Sequence, residues 1–386
     1  PLGQGRVRID LDAGRPEDAV RHAGELINAE RVNLLAGGFL SNVGLAIADF
    51  ALAEVPGWRA GLLLKAGIGF DPFSVMACVA HGALYFLPIF LTALLVGAFW
   101  ESLFAAVRRK RLDEGLLYIA WFVALMMPAS APLLQVAHGM AVGIVLGKLI
   151  YGGSGRYVMN PALLAVAFLI FSYPDLLFGK GAWVPVAGYD QPSVLELVTE
   201  EGGLRVVSAV DYSYWQLFLG DQPGAVGVVS VLGAIVGALF LVWTGMASWR
   251  VIAGSVLGLI GMSLLGNYLA PDHQILSIPW YWHAVLGGWA FGTVYIATDP
   301  VAGAMTNPGR WGYGLLVGAL TVLIRLGDVT YYEGVMFAIL LASAFSPLID
   351  NVVIQINMRR RRMRLVDRDD RHPVEPSGDP AVVGDH

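Results

Sequence analysis

The chain has 386 residues, of which 56% are hydrophobic and only 14% charged, with a mean hydropathy of +0.63. Soluble domains carry about 25% charged residues, so a water-exposed globule is excluded and an integral membrane protein is expected. The net charge of -5, basic runs confined to the flanks of apolar segments, and the lone Cys78 exclude nucleic-acid binding, a disulfide framework and a cysteine-ligated cluster built by this chain alone.

Residues 1–32 form a polar segment with no apolar core of a secretory signal. Apolar windows cut at Pro, Gly and charge clusters then predict spans over 33–53, 75–100, 116–132, 133–150, 161–178, 225–246, 251–269, 280–298, 313–326 and 334–355. The expected fold is therefore an all-α membrane domain over 33–356 with about ten transmembrane helices. Asn42 and Asp49 weaken the first window. Pro128, Ser130 and Pro132 interrupt 116–150 and predict a tight helical hairpin or a broken helix. Residues 179–224 read as a long connection with aromatic anchors at Tyr212 to Trp215, and 357–386 as a basic, then disordered, cytoplasmic tail.

Basic residues orient these spans. Arg108 to Arg111, Lys148 with Arg156, Arg250, Arg310 and Arg359 to Arg362 all fall on one side of the weave, which marks that side as cytoplasmic. An internal echo is visible as well. Gly152-Gly153-Ser154-Gly155-Arg156 precedes Asn160-Pro161, and Asp299-Pro300 precedes Asn307-Pro308-Gly309-Arg310. Two related halves with interrupted helices would produce it, and so would ordinary turn chemistry.

No dinucleotide fingerprint, Walker loop, zinc-protease motif or nucleophile elbow occurs, so the chain is not expected to catalyse a reaction alone. Polar groups at span ends are the informative ones, because charge in hydrocarbon costs several kcal/mol and persists for a use. Asp299 and Asp350 end apolar spans and offer hard oxygen ligands to a cation, or else cap turns. Gly152, Gly153 and Gly155 permit close backbone approach, and Asn160-Pro161 opens a helix whose N–H groups could receive a flavin or quinone oxygen or belong to a plain connection. Trp282 and His283 sit in an outer aromatic belt that anchors the interface or stacks on a redox ring.

Several colinear motifs carry a family resemblance between about Gly44 and Arg362. They are Tyr85-Phe86-Leu87-Pro88-Ile89, Trp100-Glu101, Tyr151 to Arg156 with Asn160-Pro161-Ala162-Leu163, and Gly245 to Arg250. The series continues with His283 to Phe291, Ala297-Thr298-Asp299-Pro300-Val301 and Ser346 to Asp350. In this order they resemble the B subunits of the sodium-translocating NADH:quinone reductases, which are related to the RnfD component of the Rnf complex.

The resemblance implies a multi-pass component of a multisubunit redox complex in the bacterial inner membrane. It implies contact with a flavin and a quinone substrate, passage of Na+ or H+, and roles for Asp299 and Asp350 in the cation path. Two departures stand out. The family attaches FMN through a threonine that corresponds to Val231, which has no hydroxyl; Ser230 has one but faces about 100° away on a helix. Any FMN or riboflavin is therefore expected to be noncovalent. Leu149 stands where the family pattern carries a glutamate. Both departures leave open a diverged paralogue that acts as a membrane scaffold or an ion or solute pathway.

Overall fold

The computed structural model describes residues 75–112, 114–174, 193–200, 212–220, 222–271, 273–326 and 334–371. The expected span over 33–53, most of the 179–224 connection and the tail past residue 371 lie outside them. Among the described residues all regular structure is helical.

The helices are α1 (Val75–Arg108), α2 (Leu116–Met126), α3 (Leu133–Ile144), α4 (Pro161–Ser172), α5 (Val194–Glu200) and α6 (Tyr214–Leu219). They continue as α7 (Val231–Trp243), α8 (Trp249–Leu269), α9 (Trp280–Val285), α10 (Trp289–Phe291), α11 (Asn307–Ile324) and α12 (Gly334–Arg371). Within α1, α8 and α12, Gly82–Arg108, Trp249–Leu269 and Gly334–Met363 are long and apolar enough to cross a bilayer. Four further apolar stretches, Leu116–Met126, Leu133–Leu149, Pro161–Ser172 and Val231–Trp243, are shorter. The prolines and glycines that end them explain the shortfall.

The interruption expected in 116–150 is a broken helix. α2 stops at Met126, and Met127 turns to extended backbone with ψ 149°. Residues 225–227, expected to be helical, are instead the partner of this break: Val226 N–H donates to Met127 O at 3.2 Å and Gly227 N–H to Leu125 O at 2.9 Å. Met126, Met127 and Val226 are all buried, as required of non-helical backbone at membrane depth. A Cβ on Gly227 would meet the Leu125 side chain at 2.5 Å, so the crossing needs glycine.

The expected span 280–298 is likewise interrupted. α9 ends at Val285, Leu286 is extended, and Gly287 takes φ 65° before α10 begins. At the other end of the chain, α12 continues well past 355 to Arg371, so the backbone stays helical through the Arg359 to Arg362 run.

Two packed groups result. α1 to α4 form one, and α8, α11 and α12 form the other. The α8–α11 contact is closest because both helices carry glycine at four-residue spacing, Gly254 and Gly258 against Gly314 and Gly318. A Cβ at Gly254 would lie 2.9 Å from Trp311 O, and one at Gly258 would overlap Leu315 O. Since the obstacle is backbone, Gly258→Ala is expected to cost about 1–3 kcal/mol. Gly261→Ala, which meets open space on the same helix, should leave thermal stability in detergent unchanged or slightly higher.

The echo read from the sequence recurs in three dimensions. α3 runs into a π turn, Val145–Leu149, before the glycine loop, and Asn160 caps α4 with proline next. α10 runs into a π turn, Gly292–Ile296, before Asp299, and Thr306 caps α11 with proline in its first turn. Each half thus converts a loosened helix into a polar turn and restarts it with a capped, proline-headed helix. Such π segments accompany functional sites.

Candidate functional site

The two polar turns meet at Asp299. Its backbone N–H makes a tight turn onto Ile296 O at 3.0 Å just after the π turn, and its Oδ1 accepts the Val301 N–H at 2.9 Å, which fixes the rotamer. From the other half, Asn160 Nδ2 donates to Asp299 Oδ2 at 3.0 Å, and the Tyr157 hydroxyl reaches Oδ2 at 3.1 Å and Oδ1 at 3.3 Å. Tyr157 Oη is also 2.7 Å from Tyr118 Oη on α2. A hydroxyl chain therefore runs Tyr118–Tyr157–Asp299 across the boundary between halves.

Asn160 is oriented by the helix it starts. Its Oδ1 accepts from Ala162 N at 2.9 Å and Leu163 N at 3.4 Å, so the amide nitrogen must face Asp299. Of the two readings of the α4 N-terminus, that geometry favours the plain connection over donors for a flavin or quinone. Pro161 has none, and the next two are taken by Asn160. Two of the glycine loop amides are occupied too: Gly152 N–H binds Leu149 O at 3.2 Å and Gly153 N–H binds Lys148 O at 3.1 Å. With φ of 108°, 113° and 80°, Gly152, Gly153 and Gly155 serve the turn itself.

A cavity of about 470 Å³ opens beside this chain, walled by Tyr118, Phe122, Tyr157 and Tyr295, with Gly155 and Asn160 at its edge. Among the described residues its lining holds two acids, Asp299 and Glu114, and no lysine or arginine. It therefore favours a cation or a neutral ring over an anion.

Asp350 lies apart from that cavity. It reaches from α12 to the start of α11, where its Oδ2 accepts Met305 N–H at 2.7 Å and its Oδ1 accepts Thr306 N–H at 3.0 Å and the Thr306 hydroxyl at 2.5 Å. Thr306 Oγ1 accepts in turn from Gly309 N at 3.1 Å. All these partners donate, so Asp350 acts as a clamp on the α11 N-terminus, and a cation would have to displace it.

Trp282 and His283, on α9, do not line the cavity beside Asp299; α10 and the π turn lie between them and Asp299 along the chain. Trp282 packs edge-on to Tyr214 at 5.5 Å, while Trp280 and Tyr281 stay about 40% exposed, as in an interfacial belt. His283 leaves the belt and is buried at 1% exposure, because Arg325 at the end of α11 reaches its Nδ1 at 3.1 Å.

Two charged features were missed. Lys148, an orientation marker at the end of the predicted span 133–150, is fully buried and pairs with Glu101 at 2.5 Å. Arg325, placed inside a predicted span, is 2% exposed. The available signal was the same for both: an ionisable side chain in an apolar window. Tyr157 and Tyr118 gave none, since tyrosine near a span end reads as an interfacial anchor. Among the described residues no group of three or more His, Cys, Asp or Glu side chains gathers as a metal site.

Val231, the first departure from the family pattern, begins α7 and is 7% exposed, and the Ser230 Oγ caps that helix by accepting from Gly233 N at 3.2 Å. Leu149, the second, is packed in the apolar core. A carboxylate that does reach this turn is Glu101, which pairs with the adjacent Lys148.

Residues 47–359 match the family described as NQR2, RnfD, RnfE. The chain is 42% identical over 330 residues to the B subunit of the Na(+)-translocating NADH-quinone reductase of Azotobacter vinelandii, covering 85% of this chain and 81% of that protein. It is 42% identical over 328 residues to the protein of the same name from Pseudomonas aeruginosa, with 85% and 81% covered. Against that of Chromohalobacter salexigens it is 42% identical over 321 residues, with 83% and 77% covered. A match across more than three quarters of its length makes this chain a member of the NQR2, RnfD, RnfE family.

Proposed function

We propose that the chain is the B subunit of a multicomponent, Na+-translocating NADH:quinone reductase in a bacterial inner membrane, with its C-terminus cytoplasmic. The observation that carries this reading is the Asp299 carboxylate, held by donors from both halves at the wall of an acidic, aromatic cavity. A carboxylate fixed where two half-repeats meet can take a cation from one side and release it to the other when the halves shift. Asp299 is the cation residue in this proposal, and Asp350 secures the helix that follows it. The exposed Arg109 to Arg111 and Arg359 to Arg362 runs support the cytoplasmic assignment of that face.

The residues near Val231 do not fit a phosphoester-linked flavin: the one hydroxyl nearby is a helix cap, and Val231 is packed. The cavity beside Asp299 suits a planar, uncharged ring, such as the quinone or riboflavin, through Tyr118, Phe122 and Tyr295. It does not suit the phosphate of FMN, which would face Asp299 and Glu114 without a base. A bound ring would supply electron transfer. The chain's own residues supply the acidic wall, the hydroxyl chain and the fixed carboxylate.

The test uses the assembled complex in liposomes. Asp299→Asn is expected to remove the Na+-stimulated part of NADH-driven quinone reduction and NADH-dependent Na+ uptake, and unchanged Na+ stimulation would refute the assignment. On a denaturing gel, this chain is expected to show no flavin fluorescence; a fluorescent band would contradict the reading of Val231. The second reading, a pathway or scaffold without redox coupling, is favoured by Val231 and Leu149. It predicts Na+ flux without NADH.

A further inference from the structure

Asp299 accepts from Val301 N, Asn160 Nδ2 and Tyr157 Oη. The first two donors are locked, one by the backbone and one by the cap that orients Asn160. Tyr157 is different because its neighbour, Tyr118 Oη at 2.7 Å, can serve as either donor or acceptor. Its hydrogen therefore has two acceptors within reach, and its choice determines whether the Tyr157 oxygen offers Asp299 a proton or a bare lone pair.

We propose that Tyr157 is a switchable ligand of the cation site at Asp299: its hydroxyl donates to Asp299 when the site is empty and turns onto Tyr118 when a monovalent cation binds. This rests on the reading of Asp299 as the cation residue. In the empty state Tyr118 donates to Tyr157 and Tyr157 to Asp299. In the occupied state Tyr157 donates to Tyr118, Tyr118 turns its own hydrogen into the adjoining cavity, and the Tyr157 oxygen joins the carboxylate in coordinating the ion. No proton leaves, so cation binding is not accompanied by proton release. Burial, and then the Asp299 charge, push the Tyr157 phenol above its usual range, which keeps a proton available to turn. Since Tyr118 lines the cavity, cation occupancy is reported to whatever ring lies there through one hydroxyl.

The experiment compares the intact complex with its Tyr157→Phe, Tyr118→Phe and double variants by titrating Na+ and reading both quinone reduction and the Na+-induced infrared difference spectrum with ring-deuterated tyrosine. Tyr157→Phe is expected to raise the half-stimulating Na+ concentration about tenfold, the loss of one ligand to a charged group, with little change in maximal rate. Tyr118→Phe should raise it less, and the double variant should be no worse than Tyr157→Phe. The wild-type spectrum should contain a phenol C–O shift that Tyr157→Phe removes. If Tyr157→Phe fails to accumulate, Tyr118→Phe carries the test through a reduced phenol shift. Unaltered Na+ dependence in Tyr157→Phe, or a lowered maximal rate at unaltered Na+ dependence, overturns the ligand role. If Asp299→Asn has meanwhile lost its Na+ response, the reading of Asp299 stands without it; if Asp299→Asn also responds normally, both fall.

Discussion

Lys148→Met is expected to destabilise the folded chain by about 3–5 kcal/mol, enough to empty the monodisperse peak of the detergent-extracted protein at temperatures the parent tolerates. Lys148 sits in the π turn at 0% exposure, with its Nζ 2.5 Å from Glu101 Oε1 and 3.0 Å from Glu114 O. Removing the ammonium leaves the Glu101 charge in a site that is 4% exposed, where water cannot screen it. Replacing both members by apolar groups removes the charge along with its partner. Glu101→Leu with Lys148→Met should therefore recover most of the loss, although the bond to Glu114 O is not regained. A double variant no more stable than Lys148→Met would show that the ammonium acts through the Glu114 carbonyl and not through the ion pair.

Arg325→Leu should be comparably damaging, for a different reason. The break between α9 and α10 leaves carbonyls without helical partners, and Arg325 supplies them: Nη1 donates to His283 O at 2.9 Å and Nη2 to Leu286 O at 2.6 Å. Leucine would strand two buried acceptors, at about 1–3 kcal/mol each. Arg325→Lys keeps the charge but not the planar fork, so it should be intermediate. Hydrogen exchange over residues 280–291 reads the effect locally. Protection there that is equal in Arg325→Leu and the parent would mean that the break holds itself together without the guanidinium.

These two cations also show where sequence reading reached its limit. Their positions were visible, and so was the general rule that charge in an apolar window is there for a purpose. Their partners were not, because Glu101 lies 47 positions from Lys148, and His283 lies 42 from Arg325. Reading Lys148 as an orientation marker at the end of the span 133–150 missed that its side chain is buried against Glu101.

Membrane class, helical architecture and family were all legible from the residues, because each rests on local chemistry: hydropathy over about 20 positions, proline and glycine punctuation, and side-chain identity at a motif. The likeness of the two polar turns was legible as a faint echo for the same reason. Tertiary structure alone decided that those turns meet at Asp299, that the Asn160 side chain accepts the first N–H groups of α4, that Asp350 clamps α11 apart from the cavity, and that Tyr157 bridges the halves. Each of these depends on contacts between segments as much as 142 positions apart. In a membrane the apolar pattern faces lipid and says little about which polar ends are opposed, so only the packing of the helices could pair them.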